Sequence, residues 1–202
     1  MLLYGHPLSG NTHKVRLLLA ALGISYEERA VDVTVGAHKK ADFLALNPRG
    51  QLPVLVHDET TIYDAQAILT YLARKYDSAN RWLPADPIGM SRVVAWLSFA
   101  ANEIQNGAHM ARLHFLLGAP VALDQAQALA RASLAILEAR LKDRPFLELG
   151  RPTIADLACF PCVALASEGQ VSLDDFPHAH GWIARIQALP YYVGMPGLEV
   201  RA

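Results

Sequence analysis

Apolar and polar positions along this chain recur with two different periods, which alternate through the first part and give way to a single helical period in the second. Leu2 to Tyr4 is a short apolar run that reads as a strand. The polar turn Ser9-Gly10-Asn11-Thr12 follows, and then Val15, Leu18, Leu19 and Leu22 recur at helical spacing until Gly23 stops them. Asn11 or Thr12 is the expected N-cap of that helix. Tyr26 to Asp32 alternates as a strand does. Lys40 to Leu46 predicts a short helix, closed by Asn47-Pro48-Arg49-Gly50. Pro53 to His57 is a second apolar strand, and Asp58-Glu59 turns it into Thr61 to Tyr63. Asp64 then caps a helix to about Tyr76, with Ile68, Leu69 and Leu72 on its inner face. The order βαβ, α, ββα implies a mixed sheet with helices on both faces.

From Asp77 to Ile88 the pattern breaks at Asn80, Pro84, Asp86 and Pro87, and this stretch reads as a linker. Everything beyond it has helical period. Gly89 to Leu117 predicts one long helix and Asp124 to Lys142 another; Thr153 to about Glu168 and His178 to Leu189 complete a bundle. The chain thus divides into an α/β unit over 1–77 and an all-α unit over 88–202.

Composition narrows the function classes. At 52% hydrophobic over 202 residues the chain can bury an ordinary core. A net charge of −1 leaves no basic excess for a phosphate backbone, so nucleic acid is not an expected partner. No apolar run approaches the roughly 18 residues of a membrane span. The start, Met1 to Pro7, lacks the charged beginning and long apolar stretch of a signal peptide, which makes the cytoplasm the expected location. Two cysteines, Cys159 and Cys162, form no disulfide framework. Cys159-Phe160-Pro161-Cys162 has redox spacing, but it falls inside an apolar helix that a Thr153/Asp156 capping box opens, where cysteines serve as small apolar residues. Two cysteines alone close no tetrahedral metal shell, and no metal is expected.

Two stretches carry candidate chemistry. In Gln51-Leu52-Pro53-Val54-Leu55, Pro53 suits an edge strand; a cis bond there would instead leave the Leu52 backbone open to pair with an extended peptide. In Tyr63-Asp64-Ala65-Gln66, Asp64 is a good cap, and the same helix N-terminus could receive a carboxylate. In combination, Ser9-Gly10-Asn11, Asn47 to Pro53, Asp64 to Leu69 and Arg151-Pro152-Thr153-Ile154-Ala155-Asp156 resemble, in order, the glutathione transferase superfamily over essentially the whole chain.

That resemblance implies an α/β thioredoxin-like N-terminal domain that binds glutathione and an all-α C-terminal helical bundle that holds the second substrate. It implies a cis-proline at Pro53, pairing of the Leu52 backbone with the cysteinyl part of glutathione, and a tripeptide contact from Gln51. The acidic-plus-serine pair for the γ-glutamyl end stands here as Asp64-Ala65. The missing hydroxyl is worth about 0.5–1.5 kcal/mol. His38 resembles the histidine that in some classes reaches the glycyl carboxylate. Neither the catalytic cysteine nor the catalytic tyrosine of other classes is present. Ser9 aligns with the serine of serine-type classes, and Asn11 resembles the asparagine of a bacterial class noted for disulfide-bond reductase activity. The two would stabilise the thiolate; a depression of about two units from about 8.5 needs only about 2.7 kcal/mol. Asn106, His109, Arg112 and Leu113 are expected to line the second-substrate pocket, with a structural ion pair the other reading of Arg112. Three functions are compatible with the resemblance: transfer of glutathione to a small electrophile, glutathione-dependent disulfide reduction, and non-catalytic binding on the same scaffold. The family also implies a homodimer.

Overall fold

The computed structural model describes residues 1–200; the last two positions of the expected second unit, 201 and 202, lie outside the described residues. The first unit has strands β1 (Leu2–Gly5), β2 (Glu27–Ala30), β3 (Val54–His57) and β4 (Thr60–Tyr63), with helices α1 (Gly10–Ala21), α2 (Ala41–Leu46) and α3 (Ala65–Tyr76). The sheet order is β2-β1-β3-β4, with β1 parallel to β2 and antiparallel to β3, and β4 antiparallel to β3. This is a thioredoxin-like mixed sheet. Leu3 and Leu55 are fully buried opposite one another on β1 and β3, and α1 and α3 contribute Leu18, Leu19, Ile68, Leu69 and Leu72 to the same core. Residues 37–39 add a turn of 3₁₀ helix that the sequence pattern does not signal.

The cap of α1 is Ser9, not Asn11 or Thr12. Its backbone is extended and its Oγ accepts from the Thr12 N–H at 3.1 Å, which leaves Asn11 and Thr12 inside the first turn. Asp64 caps α3, and its Oδ1 accepts from Gln66 N at 2.9 Å and Ala67 N at 3.2 Å.

Residues 77–86 carry no helix or strand but are firmly tied. Trp82 N donates to Asp77 Oδ2 at 2.6 Å, and Trp82 O accepts from Ile154 N at 3.0 Å. The helical unit comprises α4 (Pro87–Phe99), α5 (Met110–Leu117), α6 (Leu123–Leu141), α7 (Ile154–Ala164) and α8 (Pro177–Gln187). The single helix expected over Gly89 to Leu117 is not uniform. Residues 100–109 wind as a π-helix between α4 and α5. Gly107 lets this wider stretch lie against α6, since a Cβ there would stand 2.8 Å from Ala130 N. The stretch expected as one helix from Thr153 to Glu168 is α7 followed by a 3₁₀ turn over 166–169. The Thr153/Asp156 capping box forms, and Asp156 Oδ1 also accepts from Leu147 N and Trp182 Nε1, both at 2.9 Å. No helix among the described residues is long and apolar enough to cross a membrane.

One hydrophobic cluster runs without a break from Leu3, Leu18 and Leu55 through α1 to Phe160 and Trp182. Two histidines and an aspartate closed into it or against it have ionisation shifted by that burial. Burial pushes His13 down to about 3, helped by Arg16. Burial, then Lys14 and Arg112, also takes His109 to about 3. Burial raises Asp156 to about 6 against its hydrogen bonds. A depressed histidine costs stability as pH falls below its unfolded value of about 6.5; a raised aspartate returns stability as pH falls through its folded value. Between pH 6 and 4 the unfolded chain therefore holds about two extra protons on the histidines, and the folded chain about one on Asp156. The net of about one proton lowers stability by about 1.4 kcal/mol per unit as pH falls. His13→Phe, which keeps the edge contact with Tyr192, should bring this slope close to zero. Denaturant unfolding at pH 6, 5 and 4 reads both slopes, and equal slopes would contradict the assignment.

Candidate active site

A cavity of about 390 Å³ lies between the two units. Three backbone ends of the first unit meet there: the N-terminal turn of α1 with Ser9 and Asn11, the approach to β3 with Gln51, Leu52 and Pro53, and the N-terminus of α3 with Asp64, Ala65 and Gln66. His38 also lines it. The second unit supplies Gln105 and His109 from the π-helical stretch and Met110, Leu113, Leu116 and Leu117 from α5.

The α1 turn is held from both sides. His6 Nδ1 accepts from Leu8 N at 3.2 Å, and Ser9 N donates to His6 O at 3.0 Å. Across the cleft, Arg112 Nη1 donates to Leu8 O at 2.7 Å while its Nε donates to Glu168 at 2.6 Å. Asn11 Nδ2 donates to Gln105 Oε1 at 3.2 Å, so its amide is presented to the cavity by the partner unit. Ser9 Oγ accepts from Thr12 N, and its own proton remains available to a ligand.

The Leu52–Pro53 bond is cis. Among the described residues neither the N–H nor the C=O of Leu52 is hydrogen-bonded, whereas Val54, two residues on, pairs with both Tyr4 and Tyr63. The loop before it is braced by the buried Asn47, whose Nδ2 donates to Gln51 O at 2.8 Å and whose Oδ1 accepts from Arg49 N at 3.0 Å. Gly50 turns that loop at φ +56°, and Lys39 Nζ donates to its carbonyl at 2.9 Å. Asp64 adopts φ +79°, a conformation disfavoured for a residue with a Cβ. The strain falls where α3 is aimed at the cavity. The Ala65 N–H has no acceptor among the described residues.

Electrostatics favour an anion. Lys39 and Arg49 stand in the wall, and Asp64 Oδ2 is 3.5 Å from Arg49 Nη1. Partial burial and then Lys39 lower His38, whose Nδ1 is buried without a partner. His109 is neutral at physiological pH and lies 3.9 Å from Cys162 Sγ. Cys159 and Cys162 are buried and reduced, and burial pushes the Cys159 thiol far up.

Ser9, Asn11, His38, Gln51, Leu52, Pro53, Asp64 and Ala65 are thus brought together, as are His109 and Leu113. Asn106 and Arg112 are not. In the π-helical stretch Ala101, Gln105 and His109 share a face at intervals of four, which puts Gln105 rather than Asn106 inward; Asn106 bonds Asn102 on the exposed side. Arg112 is turned away from the cavity, onto Leu8 and Glu168. Sequence reasoning missed His6, Asn47, Lys39 and Arg49. Asn47 and Arg49 belong to the Asn47-to-Pro53 stretch, whose motif is the signal that could have found them; His6 and Lys39 carry no local signal.

Comparison with known proteins agrees with this geometry. The glutathione S-transferase N-terminal domain model matches residues 1–74, and the glutathione S-transferase C-terminal domain model matches residues 120–185. Glutathione S-transferase 3 of Zea mays is 33% identical over 94% of this chain and 90% of its own length. The chain belongs to the glutathione S-transferase family. A solved glutathione S-transferase from Pseudomonas fluorescens superposes with a TM-score of 0.89 at 30% identity, covering 96% of this chain and 98% of its own. A glutathione transferase homologue from Drosophila mojavensis, solved with bound glutathione, gives 0.86 at 26% identity over 95% and 89%.

The brace at Asn47 makes a specific prediction. Asn47→Ala removes two hydrogen bonds made by a buried side chain and should cost about 2–3 kcal/mol. It should also weaken glutathione, because the brace fixes Gln51 and the peptide before Leu52. Urea unfolding and calorimetric titration read the two effects; an unchanged affinity would separate the brace from the site.

Proposed function

We propose that this chain is a glutathione transferase of the serine/asparagine type, working as a cytoplasmic homodimer, with residues 1–77 binding glutathione and 88–202 holding the electrophile. The observation that carries this reading is the unpaired Leu52 backbone inside the same cavity as the N-termini of α1 and α3. An extended tripeptide can pair with that backbone as an added strand. Its γ-glutamyl carboxylate then meets the free N–H of Ala65 and the α3 dipole, and its glycyl carboxylate meets His38 and Lys39. The central thiol falls at the α1 turn. There the Ser9 hydroxyl and the Asn11 amide donate to sulfur, and the helix N-terminus favours the thiolate. The thiol proton passes to solvent. The thiolate attacks a carbon electrophile resting on Met110 and Leu113, and the leaving group departs with its bonding electrons. The glutathione bound in the Drosophila homologue supports the ligand class.

Two measurements test the reading. Bound glutathione should show a thiol pKa below its free value in an ultraviolet thiolate titration, and Ser9→Ala should raise it and lower kcat/KM for an aryl halide by about 10- to 100-fold, as the loss of one or two charge-assisted hydrogen bonds implies. If Asn11→Ala instead lowers reduction of a mixed disulfide more than conjugation, disulfide reduction is the main activity. Ala65→Ser should tighten glutathione by up to about tenfold, since one hydrogen bond is worth up to about 1.4 kcal/mol. Unchanged or weaker binding would mean that the γ-glutamyl end is held elsewhere.

A further inference from the structure

Lys14 is fully buried, and its Nζ has no hydrogen-bond partner. No carboxylate lies within ion-pair distance of it among the described residues. It stands one turn after Gly10 on α1, and residues four apart share a helix face. That face is packed on α7: a Cβ on Gly10 would be 3.4 Å from both Cys162 Sγ and Pro161 Cβ. Helical side chains lean toward the N-terminus, and four residues rise only about 6 Å. The ammonium is therefore carried toward the level of the first turn, on the face that Gly10 and Asn11 share with it.

Its surroundings leave that charge uncompensated. From α7 it meets Cys159, whose thiol burial pushes far up and which Lys14 partly draws back. From the π-helical stretch it meets His109, which burial and then Lys14 hold neutral. Cys162 is buried beside them. Arg112, from α5, adds like charge at His109 but is itself paired with Glu168. Asp156, the carboxylate of α7, is engaged by Leu147, Thr153 and Trp182. The α3 residues buried toward α1 are apolar. A cation in the N-terminal half of a helix also opposes the dipole. Burial, lack of a partner and the dipole thus all act against Lys14, and nothing in its packing offsets them.

We propose that Lys14 is a positioning residue for the reaction. Its buried ammonium lies at the level of the α1 turn and supplies positive potential to the glutathione thiolate. The assignment rests on the transferase reading above. The thiolate gains a favourable charge through a low-dielectric wall, without contact, while the protonated thiol gains nothing, so the effect appears in ionisation rather than in binding.

Lys14→Met and Lys14→Gln remove the charge, and Lys14→Arg keeps it. A thiolate titration of the glutathione complex should show the bound pKa raised by about one unit in the Met and Gln variants, a tenfold loss of thiolate at a pH below it, and little change in the Arg variant. Glutathione affinity at pH 6, where the thiol is mostly protonated, should stay within about twofold. The melting temperature of Lys14→Met should match or exceed that of the wild type, because an unpartnered charge is replaced by an apolar chain of similar length. A lysine retained for packing alone would lower the melting temperature and leave the thiol pKa where it was. A wild-type complex with an ordinary thiol pKa overturns the thiolate reading and this one with it. A depressed wild-type pKa that survives in the Met and Gln variants, or an Arg variant that shifts as far as they do, overturns the role of Lys14 alone.

Discussion

Helix α1 is packed on both sides, and the rest of the molecule is arranged around that burial. One side lies over the sheet and beside α3; the other lies on α7 of the helical unit. Val15, Leu18 and Leu19 are completely inaccessible, and Leu17 nearly so. At about 1.5–3 kcal/mol for each large apolar side chain removed from water, this seam rivals a domain core. Its two sides cannot separate without exposing both, so the two units behave as one folded body rather than as beads on a linker. At the N-terminal end of α1, Ser9 and Asn11 stand at the edge of the seam, and the cavity opens there.

This burial explains how residues of the helical unit act on a site built largely by the sheet unit. Arg112 reaches across to the carbonyl of Leu8, and Gln105 holds the amide of Asn11. Both come from the chain around the π-helical stretch. A wider turn there sets Ala101, Gln105 and His109 on one line facing the cavity, while Gly107 fits the opposite side onto α6. π-helical segments are often found at functional sites for this reason: an extra residue rotates the next turns about the axis without breaking the helix.

The periods of 2 and 3.6 made much of this fold legible in the sequence, because several elements have one face in the core: Leu3 and Leu55 on the strands, Ile68, Leu69 and Leu72 on α3. The break in the pattern from Asp77 to Ile88, beyond which every stretch has helical period, marked the two units. The π-helical stretch was not legible, since its composition is that of any amphipathic helix, and the resemblance that put Asn106 in the pocket does not fix which of Gln105 and Asn106 faces inward. Ser9 was recognised for its chemistry but not as the cap, for Ser9, Asn11 and Thr12 are all good capping residues and only tertiary packing chooses among them. The environment of Lys14 was invisible as well. A lysine between His13 and Val15 reads as the polar face of a helix, and only the packing of α7 shows that this helix has no polar face there.

Capping and ligand binding, which compete as explanations of Ser9 and Asp64 in the sequence, are compatible in the structure. Ser9 accepts a backbone N–H through its oxygen and still has a proton to give. Asp64 uses one oxygen on Gln66 and Ala67, and its positive φ turns the unclaimed N–H of Ala65 toward the cavity. Each cap stops one helix at the cavity wall, so two positive dipole ends converge on a space that also holds Lys39 and Arg49. Glutathione as its thiolate carries two carboxylates, one ammonium and one sulfur anion, a net charge of about −2. In the transferase reading proposed above, these two helix ends favour that form over the neutral thiol, through the same N–H groups and dipoles that the caps serve. In the reading proposed above, the residues that begin α1 and α3 are therefore constrained twice, once by folding and once by the ligand.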